Sequence, residues 1–293
     1  MKLQTLFKAS AVAAALALAG CGGDINIDTG ATVEQPDPGT GGGDNGGGDT
    51  GADLPGETSG SLSLAASEAL GEEVQVQVLS GRITEDTTLV NSLDDGTTVM
   101  YAIDGPTFVG GDKADSAVLT VEPGTVIFGR QGNDYLVVSR DSQIIAEGTA
   151  DAPIIMTSSQ DVLGEETAPG QWGGFIILGN APSNKCPSDG SDCALQVEGA
   201  EEGAVFGGTD ETDNSGVLRY LVVKHGGFEI APDNELNGIT FGGVGSGTTV
   251  EYLQVHGNSD DGIEMFGGNV DFKHVVLTGM QDDSIDWDNG YQG

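Results

Sequence analysis

Val250-Glu251-Tyr252-Leu253-Gln254-Val255-His256-Gly257-Asn258-Ser259-Asp260-Asp261-Gly262-Ile263-Glu264 is followed by Phe272-Lys273-His274-Val275-Val276-Leu277-Thr278-Gly279-Met280-Gln281-Asp282-Asp283-Ser284-Ile285-Asp286. Laid one over the other, the two stretches match apolar residue to apolar residue and Asp-Asp to Asp-Asp, 22 residues apart (282 minus 260). A period of that size, carried by short β-branched runs that end at Gly, is what a coiled parallel β-solenoid requires, because each turn of such a coil buries its apolar face against the next.

A third, imperfect copy lies upstream. Leu218-Arg219-Tyr220-Leu221-Val222-Val223-Lys224 matches the first strand and Leu236-Asn237-Gly238-Ile239-Thr240 matches the segment from Asp260 to Glu264, with an insertion between them. In this register Tyr220/Tyr252/His274, Leu221/Leu253/Val275, Val223/Val255/Leu277 and Ile239/Ile263/Ile285 read as columns of an apolar interior. Parallel to them run Leu236/Asp260/Asp282, Asn237/Asp261/Asp283 and Thr240/Glu264/Asp286. Adjacent strands lie ~4.8 Å apart, so two ionised carboxylates stacked at that spacing repel by ~3 to 4 kcal/mol at an effective dielectric of 20. Three arrangements relieve this: a hard cation such as Ca²⁺ held by Asp260, Asp261, Glu264, Asp282, Asp283 and Asp286, raised pKa values, or side chains splayed into water, as in ordinary Asp-rich turns.

Upstream coils are less regular but follow the same rule of short β-branched runs bounded by Gly, Pro or Asp. They include Val74-Gln75-Val76-Gln77-Val78, Tyr135-Leu136-Val137-Val138, Pro153-Ile154-Ile155-Met156-Thr157 and Gly174-Phe175-Ile176-Ile177-Leu178-Gly179. Apart from 62–70, no segment predicts a helix of more than a turn or two. The fold class is therefore all-β, a parallel β-helix over 61–293.

Two N-terminal segments precede it. Lys2 and Lys8 with the apolar run 9–17 form a secretion signal over 1–20. Its end, Leu18-Ala19-Gly20-Cys21, resembles the lipobox of bacterial lipoproteins, which implies cleavage before Cys21 and a lipid on that residue. The alternative is an ordinary signal peptide with Cys at its cleavage site. By similarity to sorting in enteric bacteria, Gly22 and Gly23 after the cysteine, with no Asp at the position next to Cys21, favour the outer membrane, on its periplasmic face or at the cell surface. Residues 21–60 are Gly, Asp, Thr and Pro with almost no large apolar side chain, a composition that cannot offset its chain entropy and reads as a flexible tether. The apolar run is shorter than the ~20 residues that a spanning helix needs, so the expected membrane contact is the anchor alone.

The formal charge is −36, with Lys and Arg together only 10. Removal of the signal, which carries Lys2 and Lys8 and no acid, takes it to −38 (−36 minus 2). Such a chain repels nucleic acid and favours divalent cations or a saline milieu. Cys186 and Cys193 lie in a Gly/Pro/Ser-rich loop and predict a local disulfide, since an exported chain meets an oxidising compartment and no His lies near to complete a zinc site.

The stretches Leu119-Thr120-Val121-Glu122-Pro123-Gly124-Thr125, Ile145-Ala146-Glu147-Gly148-Thr149-Ala150-Asp151-Ala152-Pro153-Ile154, Gly170-Gln171-Trp172-Gly173-Gly174, Asp213-Asn214-Ser215-Gly216-Val217-Leu218-Arg219-Tyr220 and Gly243-Val244-Gly245-Ser246-Gly247-Thr248-Thr249-Val250-Glu251-Tyr252 together resemble surface lipoproteins of Gram-negative bacteria with a right-handed, pectate-lyase-like parallel β-helix. Members of that group usually continue past the position of Gly293, so the resemblance implies a solenoid longer than this chain. It implies a location and a fold more than an activity. Binding or adhesion to a glycan, or to another surface protein, is the expected role. The alternative is a polysaccharide hydrolase or lyase using the pairs Asp260, Asp261, Asp282 and Asp283 as acid and base. Against catalysis stands the scarcity of bases: only Arg219, Lys224 and Lys273 lie in the repeats, and His225, His256 and His274 fall in different columns. Of Trp172, Trp287 and Tyr291, which could stack on sugar rings, Trp287 between Asp286 and Asp288 is the better ligand candidate.

Overall fold

The computed structural model describes residues 74–293 apart from 190, 191 and 233, together with 57, 58 and 70. The signal peptide, Cys21, nearly all of the tether and of the helix candidate 62–70 lie outside the described residues. Within the segment read as tether, Glu57–Thr58 pairs antiparallel with residues 77 and 78.

From residue 74 onward the chain winds as a three-faced parallel coil. Face A stacks 74–79, 98–103, Val126–Gly129, Ile154–Ser158, 221–224, 253–256 and 275–278. Face B stacks 81–83, 107–109, Tyr135–Val138, Gly174–Leu178, Ile239–Gly242, Ile263–Phe266 and Ile285–Asp288. Face C stacks Thr87–Leu89, Val118–Val121, Gln143–Glu147, 216–219, 249–251 and 272–273. The 22-residue repeat is the last complete winding, and its register is the one read from sequence: Leu221 pairs with Leu253 and Leu253 with Val275, while Ile239 pairs with Ile263 and Ile263 with Ile285. Leu221, Leu253, Val223, Val255, Ile239 and Ile263 are buried in one continuous core that runs the length of the coil. Parallel stacking forces this outcome, since every coil offers its neighbour the same side-chain phase.

One expected interior column is not interior. Tyr220, Tyr252 and His274 adopt the left-handed conformation (φ 47, 56 and 57°) at the bend between faces C and A. That bend resets the alternation, so Leu218 and Leu221 both point inward and the aromatic between them is turned out of the core. The three rings stack outside the coil, with centroids 4.4 Å apart at both steps.

The core also claims Trp172, which is fully buried. Its Nε1 donates to the Lys224 carbonyl oxygen at 2.7 Å. A Cβ at Gly129 would stand 2.5 Å from Trp172 Cβ, so the coil beneath the indole has room only for glycine.

Between Gly174–Leu178 and 216–219 the chain makes a long excursion that covers the outer side of face B. Phe206, Val197 and Ala204 from the excursion pack on Phe108, Tyr135, Val137, Ile176 and Leu178. Cys186 and Cys193 are joined by a disulfide (S–S 2.11 Å), as expected from their closeness in one Gly/Pro/Ser-rich loop. Arg140, 1% exposed, fixes this excursion to the wall. Its guanidinium makes a bidentate pair with Asp112 and donates to the carbonyl oxygens of Cys193 and Gly207. The single described α-helix longer than one residue, α1 (Ser159–Leu163), is capped by the Ser158 hydroxyl and ends at Gly164 in the left-handed region. Among the described residues no helix is long and apolar enough to cross a membrane.

Candidate functional site

The repeated acids lie where each coil turns from face A into face B and on the outer side of face B itself. Two glycines allow that corner to stack tightly. A Cβ at Gly238 would stand 2.7 Å from the Gly262 carbonyl oxygen, and one at Gly262 would stand 2.8 Å from that of Ser284. Backbone bonds from Gly238 N–H to the Asp261 oxygen and from Gly262 N–H to the Asp283 oxygen, each 2.9 Å, then set the carboxylate-bearing residues in rungs. On face B, Thr240 pairs with Glu264 and Glu264 with Asp286. Because Ile263 and Met265 point inward, Glu264 points outward, and so does Asp286.

The carboxylates gather into two triads, Asp260/Asp261/Asp282 and Asp261/Glu264/Asp286, each offering ligand oxygens that lie within 4.8 Å of one another. Asp261 belongs to both. Asp283 stands outside both: its backbone N–H, not its side chain, enters the site, donating to Asp261 Oδ1 at 3.0 Å. Asn237, in the rung before Asp261, donates through Nδ2 to Glu264 Oε2 at 2.5 Å and to Thr240 Oγ1 at 3.2 Å. Its Oδ1 has no hydrogen-bond partner among the described residues, although the residue is only 5% exposed.

The electrostatics follow from this crowding. Asp282 and Asp283 are exposed and can be screened by water, but Asp261 and Glu264 are buried. None of the five triad carboxylates pairs with Lys or Arg among the described residues, whose ion pairs engage Asp104, Asp112, Asp161, Asp192, Glu147 and Glu251 instead. Burial, with the charge of Asp261 and Asp286 added, pushes Glu264 up to about 8. Burial and the Asp260 charge push Asp261 to about 7. Burial and the nearby Glu235 and Asp282 raise Asp260 to about 6. Glu198, from the excursion over face B, adds to the field on Asp260 and Glu264. Neither Glu198 nor Glu235 carries a repeat signal, and the excursion that brings Glu198 here is not periodic.

Trp287 occupies a different position from the acids on either side of it. It pairs with Met265, which pairs with Phe241, which pairs with Ile177. This is an inward-facing column, and the ring is 64% exposed because no described coil lies on it. Trp172 is core.

A second polar group forms at the junction of face A with α1, from residues whose sequence columns differ. The Lys224 ammonium bonds to Asp161 Oδ2, which also accepts from Thr157 Oγ1 at 2.8 Å. Burial alone would raise the Asp161 carboxyl, but the hydrogen bonds of Lys224 and Thr157 and the Lys224 charge hold it below its ordinary value. His225 Nε2 lies 4.0 Å from Asp161 Oδ1, and the His225 and His256 rings meet edge to face with centroids 5.8 Å apart. His225 follows its strand in the left-handed conformation (φ 62°), the same turn that Gly257 (φ 66°) and Gly279 (φ 75°) make in the next two coils, so it stays in their column. Its Nδ1 is buried and unpartnered, and packs against Gly257. Burial is the leading cause that lowers the pKa of this His, while the Asp161 charge opposes it.

A family model for the pectate-lyase-like beta helix domain matches residues 81–293. The chain belongs to that family. The match spans every described coil but part of the first, and with it the whole carboxylate ladder. No curated protein and no solved structure matches the chain. Membership in the pectate-lyase-like β-helix family accords with a surface or glycan-related protein, and this member's own residues carry the rest of the inference.

Proposed function

We propose that this protein is a lipid-anchored cell-surface β-helix that binds a glycan or another surface ligand, with Ca²⁺ held by the stacked carboxylates on face B. The observation that carries the cation reading is the pair of triads around Asp261, oxygen-only and without a Lys or Arg partner among the described residues. Hard divalent cations take such ligands, and Ca²⁺ accepts the irregular geometry and water-completed shells that three monodentate carboxylates leave. A cation bound only by the folded coil stabilises it by mass action. Melting in CaCl₂ should therefore exceed melting in chelator at equal ionic strength, and Asp261→Asn should shrink that difference while leaving the chelated protein as stable or more so. Equal melting temperatures for the parent protein in calcium and chelator would sink the cation reading. Binding to a glycan array with and without chelator tests the ligand. Anchoring rests on Leu18-Ala19-Gly20-Cys21. Cys21→Ser should release the protein from membranes or leave it unprocessed, and unchanged detergent partitioning would refute the lipid.

A polysaccharide hydrolase is the second reading, favoured by one spacing. Triad oxygens within 4.8 Å lie nearer the ~5 to 5.5 Å of retaining glycosidases than the wider gap of inverting ones. Release of reducing ends from a polysaccharide, abolished by Asp261→Asn, is its test; no release from any polysaccharide that the protein binds leaves the binding role alone.

A further inference from the structure

We propose that the cleft between the B-to-C corners of the first coils and the two ends of the excursion is a binding site for a neutral polysaccharide chain, an inference that rests on the glycan reading above. The cleft holds about 440 Å³, within the ~300 to 1,000 Å³ of ordinary ligand sites. Its wall is built from Asp86, Ser116, Asp141 and Gln143 in three successive corners, and Asn180 and Asn214 close it from the excursion. Strand pairing sets these corners and that of Asn214 one above another, so at ~4.8 Å per coil the wall runs on the order of 14 Å along the axis. A smaller cavity of about 140 Å³ adjoins it through Asn180 and Asp210. Together they form an elongated trough, which suits a chain better than a compact molecule.

Four of these side chains use one polar atom to hold themselves and leave the other free. Asp86 Oδ1 accepts from the Val118 N–H at 2.9 Å, and Asp141 Oδ1 from Asn180 Nδ2 at 2.8 Å. Gln143 Nε2 donates to the Asn214 carbonyl oxygen, and Asn214 Oδ1 accepts from the Gly216 N–H, each at 2.9 Å. Asp86 Oδ2, Asp141 Oδ2, Gln143 Oε1, Asn214 Nδ2 and Ser116 Oγ have no hydrogen-bond partner among the described residues. A wall fixed in this way is pre-organised, which lowers the entropy lost when a ligand binds. The ligand class follows from what lines it. No aromatic side chain is present, so recognition rests on hydrogen bonds rather than on ring stacking. No Lys or Arg lines the cleft either, and Lys113, in the smaller cavity, is paired with Asp192 at 2.7 Å. Carboxylate, sulfate or phosphate groups would meet Asp86, Asp141 and Asp210 without compensation. No three of the cleft's carboxylates gather as the face B triads do, so they are spaced for separate donors rather than for one shared ion. A hydroxyl both donates and accepts, and the row of hydroxyls on a neutral sugar chain matches separated acceptors with donors among them.

The test compares oligosaccharides of matched length. The folded protein is applied to an array of neutral hexose and pentose oligomers and of galacturonate and alginate oligomers, and the neutral oligomer it binds most tightly is then titrated by calorimetry and by NMR of the side-chain amides. The expected result is binding of a neutral oligomer, no comparable binding of the uronates, and shifted amide resonances for Gln143, Asn180 and Asn214. Gln143→Ala should weaken that binding about tenfold, as the loss of one or two hydrogen bonds does, and Ser116→Trp, which fills the cleft from an exposed position, should abolish it. Each variant is checked for the parent's far-UV spectrum, and if Ser116→Trp fails to fold, the exposed Asn214→Ala takes its place with a loss of about tenfold. A neutral oligomer bound equally well by the parent and by these variants overturns the site and leaves the glycan reading standing. Uronates bound in preference to neutral oligomers overturn the ligand class. No binding to any oligomer overturns both this site and the glycan reading.

Discussion

His225 shows how much one backbone angle decides at the scale of a residue. At φ 62° it leaves its strand in the left-handed region, which Asn tolerates several-fold better than most non-Gly residues. Asp161, Lys224 and His256 face it. Burial is the leading cause that lowers its pKa, Asp161 acts the other way, and Lys224 and His256 add to the lowering. A His with a depressed folded pKa binds protons more readily when unfolded, so its stabilising effect is complete above the ordinary value of about 6.5 and is lost as pH falls from there through the lower folded value. The raised carboxyls of the ladder have the opposite sign, since their folded state gains protons as pH falls. Only a difference between variants isolates the His. His225→Asn keeps the left-handed turn and removes the titrating group, and we expect its melting temperature to fall less than the parent's between pH 7 and pH 5. Parallel melting curves for the two proteins across that interval would show that His225 protonates without penalty.

At the scale of an element, the aromatic stack at the C-to-A corner is the informative case. Tyr252 lies between Tyr220 and His274, at 4.4 Å from each ring and within 5° and 13° of parallel. Although Tyr252 is 40% exposed, stacked aromatic pairs contribute about 0.5 to 1.5 kcal/mol each beyond area burial, and Tyr252 belongs to two. Tyr252→Ala keeps a Cβ and therefore the cost of the left-handed backbone, so it isolates the rings. We expect a loss of about 1 to 2 kcal/mol in urea unfolding, and a change below the measurement error would make the stack incidental. The same element marks what the sequence could disclose. Leu221/Leu253/Val275 and Thr240/Glu264/Asp286 were legible because parallel stacking preserves phase from coil to coil. The Tyr column was misread because a period-2 pattern assumes a straight strand, and Gly216–Lys224 crosses a corner at Tyr220. Equivalent corners and equivalent side chains are also not the same thing. Asp261 and Asp283 share a rung position, yet the last coil contributes to the site there through its N–H. Trp287, the ligand candidate between two acids, has the strand phase of the core column, which its neighbours in sequence do not disclose. Nothing periodic announced the excursion that brings Glu198 near the ladder, or the meeting of Asp161 with His225.

The charge of the whole molecule sets the terms on which both work. Of a formal −36, almost every described cation is already committed: Lys113, Arg130, Arg140, Arg219, Lys224 and Lys273 sit in ion pairs, and Arg82 lies over the Phe108 ring. The remaining acids repel one another along a coil whose apolar core must hold them together. Exposed charges act over about 30 Å at 0.01 M salt but only about 10 Å at 0.1 M, so most of that repulsion is screened by ordinary ionic strength. Carboxylates packed within 4.8 Å are inside the screening length at any of these concentrations. Monovalent salt should thus stabilise the coil through its exposed acids and do little for the ladder. We expect the melting temperature in chelator to rise between 0.01 and 0.3 M NaCl and then level off, with CaCl₂ adding a further increment on that plateau. Asp261→Asn should keep the sodium response and lose much of the calcium increment. A flat response to NaCl would mean that the surface charge places no load on the fold, and a calcium increment that vanishes on the plateau would mean that Ca²⁺ acts on this protein only as ionic strength.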